Sequence, residues 1–302
     1  MYTVAFHPGG IHLLGGSNDG IQRLRLADGQ EVGKQMGIRS FAIAVSRDHR
    51  WIVAGMGKGG ASVWDAELRE KVIDVEDTNT VWAVDVSPDS TRFATGTEED
   101  ASIWSISSGE RLVGPLALKH DSPFVRGIRF SPNGMHIASA SRDSIHVFDS
   151  RTGDELINIK TTAPSLLINT PLAWSNDGRQ LFAVSNDKKI KAFEVSTGSQ
   201  LTESPILNGG DVESIALATS GKFIATHAGR TIYFLDTSTL TRIGPFLEDS
   251  TKIYSISLSL DSRYLATGLH DGKIAVRELG HILPDLYGPF PVSIWPPYRF
   301  PH

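Results

Sequence analysis

Residues able to do chemistry are numerous in this 302-residue chain, but they are dispersed. Ten histidines stand nowhere in a His-x-His or His-Glu-x-x-His spacing that would turn two rings onto one metal ion. There is no cysteine, hence no thiolate nucleophile, disulfide or sulfur ligand. Gly57-Lys58-Gly59-Gly60 resembles a phosphate loop only superficially, because a strand pattern and not a helix follows it. The 34 acidic residues sit mostly in turns, where Asx-type hydrogen bonds to the backbone account for them. No Gly-x-Ser-x-Gly elbow is present. The types left are those of contact chemistry, aromatic rings and arginines. They bury large areas while keeping a polar or cationic handle. Whether they act together depends on the elements that hold them.

Those elements are short strands. From Val125 to Gly153 apolar residues alternate in three runs, with Ile128 and Phe130, Ile137 and Ala140, and Ile145 and Val147 on the repeating positions. Ser131-Pro132-Asn133-Gly134 and Arg151-Thr152-Gly153 punctuate them as turns. Taking Pro132 as anchor, equivalent positions fall at Pro8, Arg47, Pro88, Asn176, Thr219 and Leu260. The seven anchors are separated by 39, 41, 44, 44, 43 and 41 residues. A hydrophobic pair precedes each by four and two, from Val4/Phe6 to Ile256/Leu258. A third landmark follows by 16 or 17: Leu24, Trp64, Trp104, Phe148, Phe193, Leu235 and Arg277. Strand patterning at this period predicts an all-β fold, a seven-bladed β-propeller of four-stranded antiparallel blades. The blades start near 2, 40, 81, 125, 169, 212 and 253 and fill residues 1–290, followed by a Pro/aromatic tail over 291–302.

Val63-Trp64-Asp65, Val147-Phe148-Asp149 and the Ser87-Pro88-Asp89 and Ser131-Pro132-Asn133 turns resemble the WD-repeat β-propellers. The resemblance covers nearly the whole chain, and Trp64-Asp65 matches the signature dipeptide fully. It implies a face, the top, formed by the loops that open the first strand of each blade and commonly met by ligands. The residues eight and six before each anchor lie there. Five of these thirteen are aromatic, against 8% of the chain. The expected partner-binding set is Tyr2, Arg39, Phe41, Trp82, Phe124, Arg126, Lys252 and Tyr254, holding a protein or peptide. The turns between middle strands add Asn18, Lys58, Glu99, Arg142, Asn186 and His270. Only His120 stands near the place where the family's buried polar network has a histidine, so the cohesion of most blades is expected to rest on apolar packing.

Three before each anchor the residue is small or apolar in blades one, two, five and six and serine in blade seven, but Asp85 and Arg129 hold that place in blades three and four. Opposite charges at one repeat position of adjacent blades predict a structural ion pair near the axis. A net charge of −5 gives no basic footprint for nucleic acid. No apolar run is long enough to span a bilayer as a helix, and no signal segment opens the chain, so the expectation is a cytoplasmic protein without cofactor or metal. Met1 to Val4 already read as blade one's first strand, and Tyr287-Gly288-Pro289-Phe290 repeats the phrase Ile243-Gly244-Pro245-Phe246. The ring is therefore expected to close by packing of blades one and seven without N-terminal strand exchange. Trp295, Tyr298 and Phe300 of the tail are expected to dock on the propeller's rim, or to serve as a polyproline-like ligand. The leading reading is a non-enzymatic binding scaffold. The alternatives are the sensing region of a larger nucleotide-binding switch protein, and a propeller enzyme or small-molecule binder with a polar funnel built on Asp85, Arg129 and His270.

Overall fold

The computed structural model describes residues 2–287, apart from 8, 34, 58, 77–78, 117, 119–123, 142–143, 161–170 and 186. Its inner strands are Thr3–Phe6, Ser40–Val45, Ala83–Val86, Gly127–Phe130, Leu172–Trp174, Val212–Leu217 and Ile253–Leu258. From each, the chain steps outward through antiparallel neighbours in sequence order, giving seven sheets. Every inner strand packs beside those of both adjacent blades, the first beside the last, so the ring closes. Blades two to six carry four strands. In blade one the outer segment is held by two isolated bridges, Leu24–Glu31 and Ile21–Met36, because Gly33 and Gly37 interrupt its alternation. In blade seven three strands are followed by a helical turn, Pro284–Tyr287. The predicted fourth strand there, from Gly288 on, lies outside the described residues, as does the tail.

The turn after the inner strand is built alike in five of the seven blades. Ser46, Ser87, Ser131, Ser175 and Ser259 each donate their hydroxyl to the acid or amide two residues on, at 2.5–2.7 Å. The same hydroxyl accepts the N–H five residues on, as Ser131 does from His136 at 2.9 Å. The residue two past the anchor takes a left-handed φ in all seven blades: Gly10, His49, Ser90, Gly134, Gly178, Gly221 and Ser262. Glycine takes that conformation without steric cost, while His49 and the two serines hold it against their own preference.

The core lies between blades. Each hydrophobic cluster joins two neighbours; Val4, Phe6, Leu13 and Leu24 of blade one, for example, pack on Ala266 and Ile274 of blade seven. Val4 N–H also donates to Ser255 Oγ across that seam, at 3.1 Å. No strand crosses it among the described residues, since Thr3–Phe6 pairs with its own blade's second strand. Close approach is enforced by small residues. A Cβ on Gly96 would stand 2.4 Å from Val125 Cγ1 of the next blade. Gly96→Ala is therefore expected to destabilise the protein by about 1–3 kcal/mol. Gly37→Ala, where a Cβ meets nothing within 4 Å, should stay within about 0.5 kcal/mol of the parent in denaturant unfolding. Equal losses at the two sites would contradict this picture of the seam.

Polar networks inside blades are few. Trp104 Nε1 donates to Thr95 Oγ1 at 2.9 Å. Trp64 finds Ala54 at the matching register and its indole N–H is buried without a partner. Blade seven replaces the indole by Arg277, whose guanidinium forks onto buried Asp249 through Nη1 at 3.2 Å and through Nη2. Thr267 Oγ1 donates to the same carboxylate at 2.8 Å.

Candidate ligand-binding face

The five aromatic positions that open inner strands form one arc across blades seven, one, two, three and four. Alternation along each strand sets their direction, and the tight turns set their spacing. Tyr254 lies 6.4 Å from Tyr2, Tyr2 lies 5.4 Å from Phe41, Phe41 stacks on Trp82 at 4.8 Å, and Trp82 lies 6.3 Å from Phe124, centroid to centroid. His270 extends the arc, 5.4 Å from Tyr254. Phe41 is buried and the other four rings are partly exposed, so the arc is anchored from below and open above.

Cations lie along it. Arg39 sits over Phe41 at 4.8 Å, Arg126 over Trp82 at 4.1 Å and over Phe124 at 4.8 Å, and Lys252 over Tyr254 at 5.6 Å. Stacking of this kind orients a guanidinium and attracts it to the ring quadrupole. Burial lowers the Arg126 pKa to about 10, against the opposing pull of Glu98. Sequence spacing missed Glu98 by one residue, pointing to Glu99. Glu98 accepts the Trp82 indole N–H at 3.1 Å and the Thr80 backbone N–H at 2.8 Å, which fixes the ring's orientation. Its signal was the polar Thr97–Asp100 turn facing the same mouth.

At the blade six end the arc gives way to buried polar groups. Lys252 Nζ lies 2.8 Å from Glu213 Oε1, and the Glu213 side chain is 2% exposed. Burial raises the Glu213 pKa, with Lys252 acting against it. His227 is fully buried on the neighbouring strand, its ring nitrogens without a well-formed hydrogen bond. Burial pushes its pKa from the ordinary 6.5 down to about 3, and the Lys252 charge adds to that. A histidine lowered on folding takes up a proton more readily in the unfolded chain. Its contribution is therefore complete above pH 6.5 and is lost as the pH falls from there toward 3. The slope is about 1.4 kcal/mol per pH unit. Glu213, raised on folding, works in the opposite sense at the acid end. Urea unfolding between about pH 4 and 6.5 should show His227→Leu losing less stability per pH unit than the parent. Parallel slopes would contradict this.

Near the axis, Arg129 Nη1 lies 3.5 Å from Asp85 Oδ1, and Asp85 Oδ2 accepts the Phe130 N–H at 2.8 Å. Arg129 also donates to the carbonyls of Ile128 and Val84, at 3.1 and 3.3 Å. Enclosure by the ring raises the Asp85 pKa, against the pull of Arg129. Each acid and base thus has its own neighbours, and no third titratable side chain joins them at metal-ligand geometry among the described residues. His270 stands at the arc and does not meet this pair. Lys58, Arg142 and Asn186 lie outside the described residues. Two side grooves, of about 510 and 480 Å³, open away from the arc, the larger lined by Ile206, Tyr233, Arg242 and Phe246. No helix among the described residues is long and apolar enough to cross a membrane.

Residues 71–105, 115–149 and 240–277 match the family model described as WD domain, G-beta repeat. The intraflagellar transport protein 122 homolog of Xenopus tropicalis is 20% identical over 285 residues, which cover 92% of this chain and 23% of that protein. The chain thus spans about a quarter of the length of the curated relatives it matches first. Among solved structures, the β-propeller domain of Myceliophteria thermophila Cps50 (Swd1) superposes with a TM-score of 0.74 at 18% identity, covering 91% of this chain and 96% of that one. The hydrazine synthase of Kuenenia stuttgartiensis superposes with a TM-score of 0.79 at 13% identity, covering 92% and 95%. At such identities the likeness is one of fold.

Proposed function

The chain is a WD-repeat β-propeller, and we propose that it is a non-enzymatic platform that binds a protein or peptide segment across the strand-opening face of blades seven to four. The observation that carries this reading is the unbroken arc of Tyr254, Tyr2, Phe41, Trp82 and Phe124 with Arg39, Arg126 and Lys252 on its rings. Hot spots of protein interfaces are built from these residue types, held rigid and part-desolvated. Phe41, buried beneath its neighbours, and Glu98, locking the Trp82 indole, provide that rigidity. The negative net charge favours a protein over a nucleic acid, and a cytoplasmic location without cofactor or metal is part of the same proposal. The Asp85–Arg129 pair is assigned a structural role, since each group already spends hydrogen bonds on backbone atoms.

Selection of displayed random peptides on the purified propeller tests this directly. Peptides that enrich should lose binding on a Trp82→Ala/Phe124→Ala variant with a parent-like melting curve. Peptides indifferent to that variant but lost on Phe246→Ala would move the function to the groove beside blade six and overturn the proposal.

A further inference from the structure

Two guanidiniums on this face have no carboxylate partner. Arg39 is exposed and rests on the Phe41 ring, and it makes no hydrogen bond or ion pair among the described residues. Arg126 lies against both Trp82 and Phe124, with Nε and Nη1 sealed from solvent and without an acceptor. The carboxylate whose field reaches it, Glu98, has one oxygen on the Thr80 N–H and the other on the Trp82 indole. Lys252, at the far end of the arc, differs, because Glu213 neutralises it at 2.8 Å. Among the described cations that lie on the arc's rings, the two without a carboxylate partner are thus Arg39 of blade two and Arg126 of blade four, which bracket the Phe41–Trp82 stack. A half-sealed cation without acceptors is costly in a folded protein and calls for a reason. An anion bound at Nη2, the Arg126 nitrogen that is not sealed, offsets that cost, because charge-assisted bonds to a guanidinium are strong and directional.

We propose that the segment taken by this face is an acidic peptide, with one anionic group seated on Arg126, a second at Arg39, and an apolar side chain between them on Phe41 and Trp82. This rests on the reading of the face as a peptide-binding site. A basic peptide is disfavoured by the same geometry. Arg126 already occupies the cation-attracting faces of Trp82 and Phe124, and a second cation would meet two positive charges. The anionic group is a carboxylate or a phosphate, which share the acceptor geometry that a guanidinium reads.

The test is an array of peptides about ten residues long, each with a Phe-Leu core flanked by Glu, phosphoserine, Gln or Lys, probed with the parent protein, Arg126→Met, Arg126→Lys and Trp82→Ala. The parent should prefer Glu or phosphoserine flanks over Lys by about tenfold or more, and the preference should shrink as salt rises. The stronger of the two anionic arms identifies the anion. Arg126→Met should abolish the preference while the weaker binding of the Gln peptide persists, and Arg126→Lys should keep part of it. Because an unpaired cation is removed, Arg126→Met should melt no lower than the parent. Trp82-dependent binding that ignores flank charge would overturn the acidic assignment and leave the peptide site standing. Binding of no peptide in a Trp82-dependent way would overturn both. A large fall in the melting temperature of Arg126→Met would make Arg126 a structural residue and overturn its role as the anion seat.

Discussion

Asp249→Ala is expected to cost about 3–5 kcal/mol of stability. The Asp249 side chain is 5% exposed and takes both nitrogens of the Arg277 fork and the Thr267 hydroxyl. Removing it leaves a guanidinium that is itself only 19% exposed with no counter-charge. The loss reflects that stranded cation more than the worth of the pair. Asp249→Leu combined with Arg277→Met should accordingly recover most of the stability, because a well-packed apolar pair of similar volume often matches a buried ion pair. Denaturant unfolding of the two single variants and the double checks this as a cycle. If the double variant is as unstable as the sum of the singles, the stranded-charge account fails.

The second large effect concerns binding. Trp82→Ala should weaken a selected peptide by about 2–4 kcal/mol, roughly 30- to 1000-fold. Trp82 is central in the arc: Phe41 stacks on one side, Phe124 stands on the other, Arg126 covers it and Glu98 orients it. Truncation removes the ring, frees Phe41 to reorient, and leaves Arg126 without one of its two aromatic supports. Tyr254→Ala, at the end of the arc and away from the unpaired arginines, should cost about 1 kcal/mol or less. Isothermal titration with one peptide on both variants separates a focused hot spot from a diffuse surface. An equal loss at the two positions would contradict the focused site. Trp82 is partly exposed, so its replacement should leave the melting curve close to the parent's.

The repeat was legible because it is written in local chemistry. In five of the seven blades a serine hydroxyl bridges the anchor turn to an acid or amide two residues later, and in all seven a left-handed residue stands two past the anchor. Alternation then fixes which side chains reach the strand-opening end. That is why Tyr2, Phe41, Trp82, Phe124 and Tyr254 can be gathered by counting from anchors, although their contacts bridge separate blades. Partners brought together by tertiary packing were harder to read. Glu98 and Glu99 stand side by side in one polar turn, and nothing local says that it is Glu98 that reaches the Trp82 indole. Asp249 and Arg277 stand 28 residues apart, and Arg277 appeared only as a mismatch at the landmark held elsewhere by apolar or aromatic residues. The outer segment of blade one counted as a strand by period, but its glycines leave two bridges in place of a ladder. His227 was passed over because a lone histidine in an apolar strand carries no pattern. Its consequence comes from burial beside Lys252, which the linear chain does not display.

The proposed seat of a protein partner is the aromatic face of blades seven to four, centred on Trp82 and Phe124. Site-specific photocrosslinking tests it most directly. A benzophenone amino acid replaces Phe124 in one sample and Phe246, on the groove beside blade six, in another, and both are irradiated in the cells that make the protein. The account predicts a discrete covalent adduct from position 124 that disappears when Trp82→Ala is added, and no matching adduct from position 246. An adduct from 246 that ignores Trp82, with none from 124, would contradict it.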